Sequence, residues 1–297
     1  MRITNRMIAR NLLASINSNR SLASKLQLDL TTTKKIRRPS DDPSGVVQIQ
    51  KFKTQIGRNE QYQRNINQIS GFLTSSAAAV DRATDLLERA KEIAIQGTSE
   101  TIDAAARAAM AKDVDNLIDN MVELGNTTYN GRFVFAGTLT SGAAPFSRNG
   151  DQVTYNGNEG RIKGKIGAES ELAYNKTGTE VFQPSGGVDL FDALITLKQA
   201  LAADDTDTLQ ASIDTLDQGI KQTISVSAEL GSVQDRLDLT QQTLENEKIR
   251  LADFLSRIQD TDVAGTIVNL RTAQNAITTG LRTMAETIQT SLVDFIG

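Results

Sequence analysis

The sequence predicts a mainly α-helical protein with a long coiled-coil bundle, paired terminal helices and a small β-rich insertion in the middle. Three observations support this fold class. Leucines recur every seven residues in the C-terminal half, only 4% of the residues are aromatic, and Gly and β-forming residues concentrate between 131 and 188. Elongated helices with thin apolar seams need fewer aromatic side chains than one large globular core. We therefore expect an elongated helical protein.

The first helix is predicted over about residues 3–36. Its apolar side chains follow one narrow stripe at helical spacing: Ile8, Leu12, Ile16, Leu22, Leu26 and Leu30. The opposite face carries Asn, Ser, Arg and Gln. Because such a helix is marginal in water on its own, we expect it to pack against a partner helix.

A proline-containing loop follows this helix and predicts a hinge. The hinge residues are Pro39, Ser40, Asp41, Asp42 and Pro43. Proline is incompatible with a helix interior, and the residue before a proline prefers extended geometry. We expect Ser40 and Asp41 to cap the next helix and Pro43 to lie in its first turn.

Two more helices are predicted before the β-rich region, over about 44–97 and 102–125, with Gly97 and Gly125 at their ends. Period-2 patterning then predicts a strand over 132–137. A hairpin is expected between 152–155 and 161–166, across the turn residues 156–160. An oxygen-ligand loop at 156–160 is a weaker interpretation, because the spaced acids of a calcium site are missing.

The strongest pattern lies in a helix predicted over 208–259, after a short helix that begins near residue 189. Its seven-residue repeat is Leu209, Leu216, Leu230, Leu237, Leu244, Leu251 and Ile258, interrupted by Thr223. A strict seven-residue repeat favours left-handed coiled packing. We expect the helix over 44–97 to be its antiparallel partner.

A last helix is predicted over 262–296, after a break at 260–262 whose aspartates cap it. Its narrow stripe matches that of the first helix and includes Ile267, Leu270, Ile277, Leu281, Met284, Ile288 and Leu292. The element order is therefore nested. It predicts a terminal assembly domain (1–38 with 262–297), a long-helix bundle (39–130 with 189–261) and a β-rich insertion (131–188).

The two terminal stripes are the predicted functional site. We expect them to pack against each other and against neighbouring subunits, because an intramolecular bundle accounts less well for segments isolated by break loops. Residues 1–60 hold 12 Lys and Arg against 4 Asp and Glu, whereas residues 190–297 hold 8 against 16. Opposite charge favours N-terminal segments beside C-terminal ones.

Composition argues against several other functions. The chain has no Cys and no His, which excludes Ser-His-Asp and Cys-His catalysis and zinc sites with those ligands. We predict no catalytic residue, no metal and no cofactor. The acid pairs at 41–42 and 260–262 are interpreted as helix caps. An enzymatic β insertion stays a remote alternative without candidate residues.

Nucleic acid and membrane are not expected as partners. The basic run 34–38 is cut off from the heptads by Pro39 and Pro43, unlike the continuous helix of a basic zipper. No window holds about 18 consecutive apolar residues. The N-terminal segment lacks a secretory core, which predicts a cytoplasmic protein or export without a cleaved signal.

Several stretches resemble the flagellin family. They are MRITNRMI at the start, KKIRRPSDDPSG at 34–45, NGRFVFAGT at 130–138 with Pro145-Phe146 downstream, AELGSVQDRL at 228–237 and SLVDFI near the end. The resemblance spans nearly the whole chain and is closest to the members at the junction between hook and filament. One departure is Thr33, where the family usually has Gly.

This resemblance implies a structural subunit of the bacterial flagellum that joins hook to filament and acts as an adaptor for filament assembly. It implies export unfolded through the type III apparatus, extracellular location, and terminal helices that become ordered on assembly. The implied partners are further copies in a ring or helical layer, the first hook-associated protein, flagellin, and an export chaperone at the C-terminal segment. Filament flagellin itself and a cytoplasmic coiled-coil scaffold are the alternatives.

Overall fold

The computed structural model describes the backbone of residues 5–296 and the side chains of residues 7–286. The helices are α1 (Asn5–Thr32), α2 (Pro43–Gly97), α3 (Ala104–Gly125), α4 (Gly178–Phe182), α5 (Leu190–Ala203), α6 (Thr206–Gln259) and α7 (Val263–Ile296). The strands are β1 (Thr128–Tyr129), β2 (Arg132–Phe133), β3 (Phe146–Asn149), β4 (Gln152–Tyr155), β5 (Lys163–Lys165) and β6 (Glu171–Ala173). The predicted class, mainly α with a small β-rich insertion, is confirmed.

The chain divides into two compact units. Unit 1 comprises Met1–Arg58 with Glu247–Gly297, and unit 2 comprises Asn59–Asn246. Helices α2 and α6 each contribute residues to both units. The boundaries predicted at residues 38 and 262 lie inside unit 1, and the division into three domains stays a prediction.

In unit 1, α1 ends at Thr32 rather than near residue 36. Thr33 takes a left-handed backbone conformation, with φ of 56°, which ends the helix. The next residues lie beside the turn between α6 and α7. There the Lys35 N–H donates to the Gln259 carbonyl at 2.8 Å, and the Thr261 N–H donates to the Thr33 carbonyl at 3.0 Å.

The cap of α2 differs from the prediction. Asp41 accepts hydrogen bonds from the N–H groups of Arg37 and Arg38, both at 3.0 Å, and so ties the loop to itself. Asp42 accepts from the Ser44 N–H at 3.0 Å and caps the helix. Ser40 and Asp41 therefore do not cap α2, because the chain turns one residue later than expected. Pro43 is the first residue of α2, as predicted.

The cap of α7 agrees with the prediction. The Asp262 carboxylate accepts from the N–H groups of Ala264 and Gly265, at 3.1 and 3.2 Å. Elsewhere in unit 1, Phe52 of α2 stacks on Phe254 of α6 with ring centroids 6.0 Å apart. Ile49 and Leu251 are buried in the same unit, so α2 and α6 share apolar contacts here.

In unit 2, α2 and α6 run antiparallel, as predicted. Side-chain hydrogen bonds between the two helices show this direction, because residues further along α2 bond to residues earlier in α6. The bonded pairs are Gln63 with Glu245, Ser70 with Gln234, Thr84 with Thr223, and Lys91 with Asp217. The heptad leucines of this unit, from Leu209 to Leu244, are buried. The interrupting residue Thr223 is also buried, and its hydroxyl bonds that of Thr84 at 2.8 Å.

The predicted hairpin is wrong in its pairing. Strand β4 pairs with β3 across a turn at Gly150, whose φ is 61°, and β5 pairs with β6. The left-handed glycine makes the tighter turn. The stretch 156–160 is instead held by the side-chain amide oxygen of Asn158, Oδ1, which accepts from the N–H groups of Thr138 and Gly160.

The predicted strand over 132–137 is also shorter than expected. Within this stretch, only the two residues of β2 pair with another strand, β1. Residues 134–136 then enter the core of unit 2. There four buried rings pack together, with centroids 5.1–5.7 Å apart: Phe135, Phe146, Phe182 and Phe191. The few aromatic residues of the chain are thus concentrated where a compact core is needed.

Candidate assembly interface

The predicted terminal pairing is present as a seam between α1 and α7, which pack against each other in unit 1. Seven members of the predicted site are buried or half-buried in this unit: Leu12, Ile16, Leu26, Leu30, Leu270, Ile277 and Met284. Ile16 is the most buried of them, with 4% of its surface exposed. The helices approach closely at this point, because a Cβ on Gly280 would lie 3.0 Å from the Ile16 side chain.

Four other members of the predicted site point to solvent. Ile8 and Leu22 of α1 and Ile267 and Leu281 of α7 are 37–46% exposed. The structure therefore divides the predicted set into an inner seam and an outer apolar face. Ile288 and Leu292 lie outside the residues whose side chains are described.

Unit 1 has other exposed apolar side chains, spread over α1, α2, α6 and α7. They include Met7, Leu13, Leu28, Val47, Ile249, Val263 and Val268. Sequence reasoning missed most of these residues because they lie off the main stripe, among polar neighbours. Single exposed apolar side chains are normal on a protein surface, so these residues are not assigned to the outer apolar face.

The segment just before the hinge loop is tied to the rest of unit 1. Arg37 forms an ion pair with buried Asp29 of α1 at 2.9 Å. Main-chain hydrogen bonds from Arg37 and then Arg38 lower the pKa of the Asp41 carboxyl. Pro39 and Ser40 are exposed at the tip. The segment before the loop is therefore tied to α1 through Arg37 and to the α6–α7 turn through Lys35.

The predicted charge complementarity of the two ends does not account for the seam. Residues 263–296 hold two Arg against one Glu and one Asp, so α7 carries no acidic excess. The excess charge instead differs between the two units, positive in unit 1 and negative in unit 2. Unit 1 has 17 Lys and Arg against 9 Asp and Glu, and unit 2 has 15 against 27. The side chains that close the seam are apolar.

The described residues contain no group of three or more Asp or Glu that could hold a metal ion. Every helix in the described part of the chain is too short or too polar to cross a membrane.

Two sequence models of known helical regions match this chain. The model of the bacterial flagellin N-terminal helical region matches residues 3–140. The model of the bacterial flagellin C-terminal helical region matches residues 213–296. The first covers α1 to α3, and the second covers most of α6 and all of α7.

Individual proteins are similar over nearly the whole length. Flagellar hook-associated protein 3 of Escherichia coli is 25% identical, over 93% of this chain and 94% of that protein. Flagellin of Halalkalibacterium halodurans is 26% identical, over 86% of this chain and 82% of that protein. A crystal structure of flagellar hook associated protein-3 from Legionella pneumophila has the same fold, with a TM-score of 0.63 at 16% identity, over 71% of this chain and 98% of that one. Since the two flagellin models together match about three quarters of its residues, this chain belongs to the bacterial flagellin family.

Proposed function

We propose that this chain is a structural subunit of the bacterial flagellum that forms the junction between hook and filament and acts as an adaptor for filament assembly. The observation that carries the proposal is the outer apolar face of unit 1, formed by two paired terminal helices. Similarity to a hook-associated protein along almost the full length supports the junction over other positions in the flagellum.

The proposed mechanism is ordering coupled to assembly. Fully burying a Leu or Ile side chain contributes about 1.5–3 kcal/mol. The inner seam alone leaves Ile8, Leu22, Ile267 and Leu281 in water, so much of this contribution is available only when neighbouring subunits cover the outer face. Ordering a long helix costs conformational entropy. The outer contacts offset that cost in the assembly and not in the free chain.

The proposed partners follow from this placement. They are further copies of the chain in a ring or helical layer, the first hook-associated protein on the side of the hook, and flagellin on the side of the filament. An export chaperone at the C-terminal segment would keep the outer face of α7 covered before assembly. We further propose that the chain is secreted through the flagellar export route, works outside the cell and has no enzymatic activity.

Leu281→Asp tests the mechanism. Leu281 is 46% exposed in the isolated chain, so the substitution should leave the chain folded. It should abolish incorporation, because a buried unpaired carboxylate is costly. Thr279→Asp is the matched control, since Thr279 is exposed on the same helix and polar. Swimming motility and immunoblots of isolated hook–filament structures are the measurements. Normal motility of the Leu281 variant would refute the mechanism.

Filament flagellin is the alternative that the second relative favours. Deleting the gene separates the two functions. A cell without its junction subunit should release flagellin monomers into the medium, whereas a cell without flagellin should release none. A cytoplasmic scaffold is excluded if the protein is recovered intact in sheared flagella, and supported if it stays in the cell.

A further inference from the structure

The β-rich part of unit 2 contains a small pocket that the assembly function does not use. Its volume is about 210 Å³, which suits one compact ring and not a drug-sized molecule. The pocket is lined by Gln68, Phe72, Tyr129, Asn130, Arg132 and Tyr174, with Thr140 and Ile162 completing it. Helix α2 supplies one wall, and the hairpin formed by β1 and β2 supplies another.

Aromatic rings form the apolar body of the pocket. Phe72 meets Tyr174 edge to face at 5.2 Å and Tyr129 edge to face at 6.4 Å. Tyr129 is seated directly on the α2 backbone, because a Cβ on Gly71 would lie 2.2 Å from the Tyr129 hydroxyl. Phe72 of α2 thus contacts both tyrosine rings, so the pocket is already formed without a ligand.

The polar groups around these rings lack protein partners. Across the described part of the chain, no hydrogen bond is made by the hydroxyls of Tyr129 and Tyr174 or by the side chains of Gln68 and Asn130. Burial raises the pKa of the Tyr174 hydroxyl, and the neighbouring positive charge of Arg132 opposes that rise. Arg132 and Tyr174 both line this pocket.

Arg132 is also unlike the other two arginines of the insertion. Arg148 pairs with Asp115 and Asp119, and Arg161 pairs with Glu180. No ion pair to Arg132 is present among the described residues. The turn residues Asn130 and Gly131, both with positive φ, place Arg132 opposite Tyr129 in the hairpin. An exposed guanidinium that lines an aromatic pocket is suited to a carboxylate.

We propose that this pocket binds a compact carboxylate attached to a flat apolar ring, with the ring against Phe72 and Tyr129 and the carboxylate on Arg132. Two sources share this chemistry: a free aromatic acid, and the C-terminal aromatic residue of another protein. Benzoate is a probe for the first source, and N-acetylphenylalanine is a probe for the second.

The test is a titration of the full chain with each probe, followed by nuclear magnetic resonance of the Ile162 and Thr140 methyl groups. We expect saturable benzoate binding with a Kd on the order of 1 mM, as for other ligands of this size. The uncharged isostere benzamide should bind about tenfold more weakly, because it cannot form the charge-assisted hydrogen bonds to Arg132. The probe that binds more tightly identifies the source.

Arg132→Gln should weaken benzoate binding about tenfold and leave benzamide binding unchanged. Arg132 is exposed, so the variant should fold. Arg82→Gln is the matched control, because Arg82 is exposed in the same unit away from the pocket, and it should change neither affinity. Two results would overturn the proposal: no saturable response to either acid up to about 10 mM, or equal binding of benzoate by the wild type and Arg132→Gln.

Discussion

Thr33 and Thr261 are joined by a main-chain hydrogen bond of 3.0 Å that fastens the end of α1 to the turn before α7. To make this bond, Thr33 holds φ at 56°, in the left-handed region. A β-branched residue is a poor occupant of that region. The left-handed conformation therefore places strain on Thr33.

Thr33→Gly should therefore stabilise the main-chain hydrogen bond between residue 33 and Thr261. Relief of the left-handed strain gives about 1–2 kcal/mol, and the greater freedom of Gly in the unfolded chain removes about 0.5–1 kcal/mol of that. Hydrogen exchange of the Thr261 amide should slow about two- to fivefold. Thr31→Gly is the control. Thr31 is exposed and lies within α1, where Gly destabilises the helix, so this variant should accelerate exchange of the Thr261 amide. Faster exchange of the Thr261 amide in Thr33→Gly than in the wild type would show that the left-handed backbone of Thr33 is not strained.

Two glycines predict opposite effects of the same substitution in unit 2. A Cβ on Gly231, inside α6, meets no atom within 4 Å, whereas a Cβ on Gly125 would lie 2.6 Å from the Phe146 ring. Gly231→Ala should raise the free energy of unfolding by about 1 kcal/mol. Gly125→Ala should lower it by about 1–3 kcal/mol through overpacking. Urea unfolding followed by circular dichroism measures both, and equal shifts would refute the packing argument.

Arg107 should be essential to the stability of unit 2. Its buried guanidinium donates to the carbonyls of Gly97 and Ser99 and pairs with Asp204, so it joins the ends of α2, α3 and α5. Arg107→Met leaves those acceptors without their donor and should cost about 3 kcal/mol. Arg82→Met, at an exposed position, should stay within about 0.5 kcal/mol of the wild type. Thermal unfolding compares them, and equal stability would exclude this role.

Asp217 predicts an acid-dependent contribution to stability. Hydrogen bonds from Lys221 and then Lys91 lower its pKa from 3.8 to about 2. Because the folded pKa lies below the unfolded one, the stabilisation is present above pH 3.8 and is lost as pH falls through about 2. Asp217→Asn should be less stable than the wild type at pH 7, and the difference should vanish near pH 2. A difference that persists at low pH would argue against the ion pair.

Much of the fold followed from helical periodicity. The heptads from Leu209 to Leu251 predicted a buried helix face, and the buried Thr223 showed why one break is tolerated: its hydroxyl finds Thr84 on the facing helix. Positions of helix ends were predicted within a few residues. The hairpins were not, because several Gly-containing turns compete in 137–160, and long-range burial of Phe135 and Phe146 decides among them.

The terminal stripes show the same limit at the functional surface. Periodicity identified the apolar residues of α1 and α7 as one set. It did not separate Ile16, which closes the inner seam, from Leu281, which stays exposed. Both lie on a narrow stripe, and only the direction of the partner helix assigns them to different faces.

The sequence by itself determined the helical class, the nested order of elements, the absence of His and Cys chemistry, and membership of the flagellin family through its motifs. These depend on local spacing and residue type, which the chain carries without folding. The tertiary structure decided the strand pairing, the capping residue of α2, the division between inner seam and outer apolar face, and the place of Arg132 in the lining of an aromatic pocket. Each of these depends on which residues, distant in the chain, come within contact distance.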